Sequence, residues 1–315
     1  MKELCVSLEE LIRPYRTISI IGMAKNAGKT TTLNYLIEAF RRENIQLGLT
    51  SIGRDGETVD IVTNTDKPRI FVHQGTIIAT AENLLHHCDI TKEIIMSTEI
   101  NTPFGRVVAV RALSGGFVQL GGPSMTAQLA GLLQKIPADK ILVDGAVGRK
   151  TLASPSVTEA AILCTGASYS RSMSKTIEET RHTVTLLTLP KFEDAAILEK
   201  LKREKPVPGY VFKRGAVTDA WAKDFVNPSS DPTVIIAEDP SKIFIKPNTY
   251  EKLQVKKAEL AVLNPIRLVG LTVNPLSPYH VGYNPQIFLE KMKEAVQLPV
   301  YDILMDFNAK ERFHE

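Results

Sequence analysis

The sequence has few of the features that mark secreted, membrane-spanning or nucleic-acid-binding proteins. Its three cysteines are odd in number and scattered, which argues against a disulfide framework and suits a reducing compartment. No run approaches the ~18 apolar residues of a membrane helix, and the N-terminal residues lack the apolar core of a signal peptide. The net charge is only +3, with no basic stripe carrying interleaved aromatics. We therefore expect a soluble, cytoplasmic protein with no nucleic-acid or membrane partner.

Short β-branched runs alternate with amphipathic segments, which predicts an α/β fold. We expect one domain over 1–315, with a mostly parallel sheet flanked by helices. Several short β runs divided by glycines predict a small inserted antiparallel β segment at 61–122. A helix is expected at Ser174–Leu187, with Ser174 as its N-cap. The sequence shows no internal repeat.

The most informative stretch is residues 17–37. A β-branched run at Thr17–Ile21 predicts a buried strand, and a loop with a glycine at each end follows at Gly22–Lys29. Leucine, isoleucine and phenylalanine then recur at helical spacing over Thr30–Phe40. Strand, glycine loop ending in Gly-Lys-Thr, and helix is the order that a phosphate-binding P-loop requires. The alternative is a glycine turn before an ordinary helix.

Each residue type in this loop has a physical reason for binding a triphosphate. Gly28 has no Cβ to keep backbone N–H groups away from an anion, and the free N–H groups of the helix face the same place. Lys29 is expected to reach the β- and γ-phosphates, and the Thr30 hydroxyl is expected to bind Mg²⁺. The residues predicted to bind the nucleotide through this loop are Ala24, Lys25, Asn26, Ala27, Gly28, Lys29, Thr30 and Thr31.

The loop departs from the usual pattern in one place. That pattern has glycine where this chain has Met23, and the glycine here is Gly22, one position earlier. The longer loop resembles that of the dethiobiotin synthetase and cobyrinate amidase group, within the class of the nitrogenase iron protein and MinD-like ATPases. Lys25 is one residue out of register with the signature lysine of MinD-like proteins, so its role stays open.

Two acidic residues follow predicted strands and are candidate magnesium ligands. The strand Lys140–Val143 ends in Asp144, which is the Walker B arrangement. A second strand, Ile45–Ile52, leads to Asp55, at the edge of a parallel sheet where ligands bind. With Lys29, these two acids are the predicted catalytic residues, and with Thr30 they are the predicted metal ligands. Each acid can also be part of an ordinary turn.

The identity of the nucleotide base depends on weaker signals. In dethiobiotin synthetase-like proteins, a late strand ending in asparagine presents that side chain to adenine, and Asn274 matches by position and type. An asparagine before proline is also a common turn former. A guanine-binding motif of the Asn-Lys-x-Asp kind is missing, because Asn64-Thr-Asp-Lys67 has the wrong order. We therefore expect ATP with Mg²⁺ as the cofactors.

Several segments together resemble the P-loop subunit of the ATP-dependent reactivating factor for lysine 5,6-aminomutase, an adenosylcobalamin enzyme. They are Ile21–Thr31, Leu49–Glu57, Val143–Ala146, Leu152–Pro155 and Thr165–Ser168. The resemblance implies a chaperone-like ATPase that exchanges damaged for intact cobalamin on the aminomutase, acting with a second, smaller subunit. It leaves a homodimer open. Two alternatives remain: a dethiobiotin synthetase-like ligase or kinase acting on a small carboxylate, and a G-protein-like metallochaperone.

Overall fold

The computed structural model describes residues 6–53, 69–145, 153–154, 156–226 and 233–305. The chain divides into two compact units. The main unit comprises Met1–Ile177 and Val269–Glu315, and the second unit comprises Glu178–Leu268. The expected single domain over 1–315 stays a prediction, because two compact units can belong to one domain or to two.

The described residues form sixteen strands and eight α-helices. The strands are β1 Thr17–Gly22, β2 Leu47–Ser51, β3 Ile70–Val72, β4 Ile77–Ala81, β5 Lys92–Thr102, β6 Gly105–Ala112, β7 Gly116–Val118, β8 Lys140–Asp144, β9 Ala160–Gly166, β10 Tyr210–Lys213, β11 Val217–Thr218, β12 Val234–Ala237, β13 Ile243–Phe244, β14 Glu259–Val262, β15 Leu268–Asn274 and β16 Val300–Asp302. The helices are α1 Leu8–Ile12, α2 Lys29–Arg42, α3 Thr126–Lys135, α4 Met173–Leu187, α5 Ala195–Lys202, α6 Asp219–Val226, α7 Pro247–Val255 and α8 Pro285–Ala295. None of these helices is both long and apolar enough to cross a membrane.

The main unit is built on a nine-stranded sheet in the order β16-β15-β9-β1-β8-β2-β4-β6-β5. Strand β1 pairs in parallel with β8 and β9, β8 pairs in parallel with β2, and β2 pairs in parallel with β4. Strands β15 and β16 are also parallel. The predicted α/β architecture, a large and mostly parallel sheet flanked by helices, is therefore confirmed.

Strand β1 lies in the middle of this sheet and is buried along its whole length. Both of its faces are buried because a parallel sheet is covered on both faces. Ile18 and Ile20 lie on one face, and Thr17, Ser19 and Ile21 lie on the other. The apolar side of α2 packs in the same core, where Leu33, Leu36 and Phe40 meet Ile18 and Ile20 of β1. Burying each of these α2 side chains contributes about 1.5–3 kcal/mol. This packing fixes the position of α2 relative to β1.

The β-rich segment joins the main sheet as its antiparallel edge. Strand β4 pairs antiparallel with β6, and β6 pairs antiparallel with β5. A separate two-stranded ribbon pairs β3 with β7. The boundaries 61–122 stay a prediction, since residues 61–68 lie outside the described part. Strands β5 and β7 were not predicted. Strand β5 lacks a clean alternation of buried and exposed residues.

The second unit is a smaller parallel arrangement. Its three-stranded sheet has the order β10-β12-β14, and all its pairs are parallel. A strand, a short strand and a helix occur twice in succession, as β10-β11-α6 and then as β12-β13-α7, with β11 parallel to β13. No sequence repeat announces this repeated topology. Neither α7 nor β14 was predicted.

The predicted N-cap of α4 is wrong by two positions. The helix begins at Met173, so Ser174 lies inside its first turn. The backbone N–H of Lys175 donates to the Ser172 hydroxyl at 3.3 Å. Ser172 therefore caps the helix, and the presence of a second serine only two residues later explains why the sequence alone pointed to the wrong one.

Candidate functional site

The loop after β1 lies where the order of the main sheet reverses. The chain passes from β1 through α2 to β2, two places to one side of β1, and β8 then fills the gap between them. From β8 the chain crosses to the other side of β1 as β9. In open α/β sheets, ligands bind at such a switch point, outside the carboxyl ends of the strands. Residues 23–28 follow β1 at this place.

The loop holds its shape through backbone bonds and two left-handed residues. The Met23 N–H donates to the Cys164 carbonyl of β9 at 2.9 Å. Asn26 has φ of 59° and Gly28 has φ of 94°. Gly28 is the N-cap of α2 and offers no side chain to its first turn, which contains no acidic residue. The N–H groups of that turn are thus suited to an anion.

Lys29 explains why the first glycine of the loop is Gly22 and not residue 23. A Cβ built on Gly22 falls 2.9 Å from Lys29 Cδ and 3.3 Å from Lys29 Nζ. The lysine side chain therefore lies back across the end of β1, where only glycine leaves room for it. Position 23 carries no such constraint.

The remaining loop residues differ in their exposure. Ala27 is buried, Ala24 is half-buried and Lys25 is exposed. Thr30 and Thr31 are half-buried in the first turn of α2. The predicted phosphate-binding residues thus lie together on one loop and one helix turn, and their role in binding stays a prediction.

Asp144 is at the carboxyl end of β8, beside β1. It lies in register with Ile20 of β1 and with Ser51 of β2. The residue is half-buried, and its Oδ1 atom is shielded from solvent. The next N–H along, that of Gly145, donates to the Ile20 carbonyl at 3.0 Å, so the strand end is held against β1.

The pKa of the buried Cys164 thiol is shifted by its burial and by neighbouring groups. Burial raises the pKa of Cys164, and its hydrogen bonds with Thr272 and Thr32 act against that rise. The positive charge of Lys29 also lowers the pKa, and the negative charge of Asp144 raises it.

Asn274 lies against the predicted P-loop at the end of β15. Its Nδ2 donates to the Asn26 carbonyl at 3.1 Å, and its Oδ1 accepts the Leu276 N–H at 3.0 Å. A Cβ on Gly28 would fall 3.1 Å from the Asn274 Cβ, and one on Gly166 would fall 2.4 Å from the Asn274 carbonyl oxygen. The structure thus brings Asn274 to the site, with its amide hydrogen-bonded to protein.

Asp55 lies outside the described residues, so its catalytic and metal-binding roles stay predictions. The strand that leads to it is present as β2, and the Gly53 N–H after that strand donates to the Pro123 carbonyl at 2.8 Å. Of the predicted magnesium ligands, the structure describes Thr30 and Asp144. A hydroxyl and a carboxylate suit Mg²⁺, which prefers oxygen ligands and keeps several waters.

In the described ranges, no group of three or more His, Cys, Asp or Glu side chains is arranged to hold a metal ion.

Two features of the site were missed by sequence reasoning. Beneath the loop, Thr32 Oγ1 lies 3.0 Å from Thr272 Oγ1 and 3.6 Å from the Cys164 sulfur, so a polar contact joins α2, β9 and β15. Above it, the Asn26 Nδ2 donates to the Tyr279 hydroxyl at 3.3 Å. These partners are far apart in sequence, and no local pattern marks them.

Comparison of the chain with protein-family models, with curated proteins and with solved structures found no match.

Proposed function

We propose that this protein is a P-loop ATPase whose site lies at the carboxyl ends of β1 and β8. The observation that carries the proposal is the path of Lys29, whose side chain folds back over Gly22 at the start of α2. A lysine held there, with Asp144 at the carboxyl end of the neighbouring strand, supplies a positive and a negative charge at the same edge of the sheet. That is the arrangement that a magnesium–triphosphate complex needs.

The residues divide the work as follows. Loop N–H groups and Lys29 bind the β- and γ-phosphates, while Thr30 and Asp144 hold Mg²⁺ directly or through water. Mg²⁺ held by these residues would supply positive charge to offset the negative charge of the triphosphate. Asp55 is proposed as a third acidic ligand. Because the donors are already in place, little reorganisation accompanies phosphoryl transfer.

The test of this biochemical proposal is nucleotide titration with a competition arm. The full chain is titrated with ATP and with GTP, each with and without Mg²⁺, and phosphate release is followed for both. We expect Mg²⁺-dependent ATP binding, slow hydrolysis and a preference for ATP. Failure to bind either nucleotide contradicts the P-loop proposal, and a clear preference for GTP favours the G-protein-like metallochaperone.

We further propose that the ATPase serves as the reactivating chaperone of an adenosylcobalamin-dependent lysine 5,6-aminomutase, in the cytoplasm and with a second, smaller subunit. The support is the resemblance of its segments to that family. The chain has no Asp-x-His-x-x-Gly cobalamin signature, so cobalamin stays the partner's ligand. A homodimer of this subunit is left open.

A physical route connects ATP to cofactor exchange. Loss of the γ-phosphate would remove the interaction that Asp144 makes with the triphosphate through Mg²⁺ at the end of β8. A tightly held, damaged cofactor leaves only when the mutase opens. ATP can favour the open state only through a difference in affinity between the open and closed complexes.

The test of this role is reconstitution. The aminomutase is inactivated by turnover, and this protein, the second subunit, Mg·ATP and fresh cofactor are added singly and together. We expect recovery of activity and release of damaged cobalamin only with the full set, and none with Lys29→Ala. Recovery without ATP contradicts the chaperone proposal. Phosphorylation of a small carboxylate favours the dethiobiotin synthetase-like ligase or kinase.

A further inference from the structure

The contacts of Asn274, at the end of β15, suit a residue that supports the phosphate loop better than one that binds the nucleotide base. Its Nδ2 donates to the Asn26 carbonyl inside the phosphate loop, and its Oδ1 accepts the Leu276 N–H behind it. Hydrogen bonds thus engage the amide nitrogen and the amide oxygen, on opposite sides of the side chain. A base would have to bind through the second N–H and the second lone pair of the amide, in the orientation that these two bonds impose.

Two glycines leave the space that Asn274 occupies. A Cβ on Gly28 would crowd the Asn274 Cβ at 3.1 Å, and a Cβ on Gly166 would crowd the Asn274 carbonyl oxygen at 2.4 Å. Contacts below 3.0 Å force something to shift. The asparagine is therefore seated in a notch between the phosphate loop and the end of β9.

The chain after Asn274 is tied down independently of any ligand. We call residues 275–283 the β15 loop. Its last residue, Tyr283, donates its N–H to the Pro275 carbonyl at 2.8 Å and its hydroxyl to the Ser170 carbonyl at 2.5 Å. His280 Nε2 lies 2.8 Å from the Ala167 carbonyl oxygen. These bonds attach the β15 loop to residues 167–170 and to its own first residue, so the chain beyond Asn274 is anchored.

Asn274 supports Asn26, which has an uncommon backbone conformation. Asn26 has φ of 59°, in the left-handed region that non-glycine residues seldom occupy. Asn274 holds its carbonyl oxygen at 3.1 Å, and the Tyr279 hydroxyl of the β15 loop accepts from its side chain at 3.3 Å. Two hydrogen bonds, one from the end of β15 and one from the loop after it, thus hold the left-handed turn of the phosphate loop at Asn26.

We infer that Asn274 is a positioning residue that braces the phosphate loop through Asn26, with Tyr279 as a second brace, and that it does not select the base. The inference rests on the proposed function, since it assigns how the same loop is held ready for the triphosphate. Its consequence is specific. A residue that braces the loop contributes to the affinity for every ligand that carries the triphosphate. A residue that binds the base contributes only to the affinity for nucleotides with that base.

The experiment measures the affinity of the full chain for Mg·ATP, Mg·GTP and inorganic tripolyphosphate by calorimetry, in the parent and in Asn274→Ala. Loss of one such bond is expected to weaken all three ligands by the same factor, about tenfold. Tyr279→Phe is expected to give the same pattern with a smaller loss. It also keeps the inference testable if Asn274→Ala does not fold.

Asn101→Ala is the matched control. Asn101 lies on β5 at the edge of the main sheet, and its Nδ2 also donates to a backbone carbonyl, that of Glu99. We expect it to leave all three affinities unchanged. Steady-state kinetics add a second readout: with a brace, the ratio of kcat/KM for ATP to that for GTP stays constant in Asn274→Ala.

The outcomes separate this inference from the proposed function. A parent chain that binds none of the three ligands contradicts the P-loop proposal itself. Binding by the parent, with tripolyphosphate affinity unchanged in both variants, overturns the brace alone. If in addition only Mg·ATP weakens in Asn274→Ala, the residue reads adenine after all.

Discussion

The nine-stranded sheet of the main unit and the three-stranded sheet of the second unit differ in the order of their strands. In the main unit the strand order reverses around β1, and ligands of open α/β sheets bind at such a reversal, outside the carboxyl ends of the strands. In the second unit the described strands follow one another in a single direction, from β10 to β12 to β14. A succession without a reversal contains no such place. A strand followed by a helix is therefore not enough to predict a ligand site. The order of the strands in the sheet is needed as well.

The helices that follow β1 and β11 show the same contrast in their charge. The first turn of α2 has no acidic residue, whereas α6 begins with Asp219. The Asp219 carboxylate accepts the Lys246 N–H at 2.9 Å. Burial acts to raise the pKa of Asp219, but hydrogen bonds from Thr249 and Lys246 outweigh it, so the pKa is lowered. One helix start carries its own anion, and the other is suited to receive one.

The largest effect is expected at Lys29. Lys29→Ala removes the charge that lies over Gly22, and it should reduce ATP hydrolysis by about 10²-fold or more, because that charge stabilises the transition state. Lys246→Ala, at the N-cap of α7 in the second unit, is the matched control and should keep the parent rate. Hydrolysis is measured by phosphate release. Equal rates in the Lys29 variant and the parent would remove the functional distinction between the two sheets.

The next effect concerns the space that Lys29 needs. Gly22→Val places carbon atoms where the lysine now lies, and it should weaken nucleotide binding by about tenfold or more by displacing that charge. Gly131→Ala in α3 is the control, because a Cβ there meets nothing within 4 Å. It should leave binding unchanged and stabilise the fold by about 0.5–1 kcal/mol. Calorimetry and thermal melts measure the two properties. A Gly22 variant that binds normally would show that the path of Lys29 is incidental.

A smaller and more selective effect is expected at Asp144. Asp144→Asn keeps the size of the side chain but removes its charge, so it should weaken Mg·ATP binding by about tenfold and metal-free binding far less. The measurement is a nucleotide titration with and without Mg²⁺. Equal losses under both conditions would assign Asp144 a structural role at the end of β8.

The smallest effect tests the other side of the comparison. Asp219→Ala should lower the free energy of unfolding at pH 7 by about 1 kcal/mol through lost hydrogen bonds, without changing nucleotide affinity. The folded-state pKa of Asp219 is lowered, so its contribution is present above the unfolded-state pKa and disappears as the pH falls through the folded-state pKa. Denaturant unfolding at neutral and at acid pH measures this. A difference that grows on acidification contradicts the assignment.

Local patterns in the sequence were enough to predict the elements around the candidate site. Strand β1, helix α2, strand β8 and strand β15 were all predicted, because a buried strand and an amphipathic helix each leave a short-range periodicity. The glycines of the loop were equally legible. The predictions were weakest where that periodicity fails, as in the exposed edge strand β5 and in α7.

By itself, the sequence determined that a strand, a glycine loop and a helix follow each other at residues 17–42, because each of these depends on neighbouring residues. Only the tertiary structure decided that β1 lies at the reversal of a nine-stranded sheet, that Lys29 crosses Gly22, and that Asn274 holds the loop from 248 residues away. Contacts of that kind arise when separate strands are packed side by side. The short-range periodicity of the sequence does not show which strands will become neighbours.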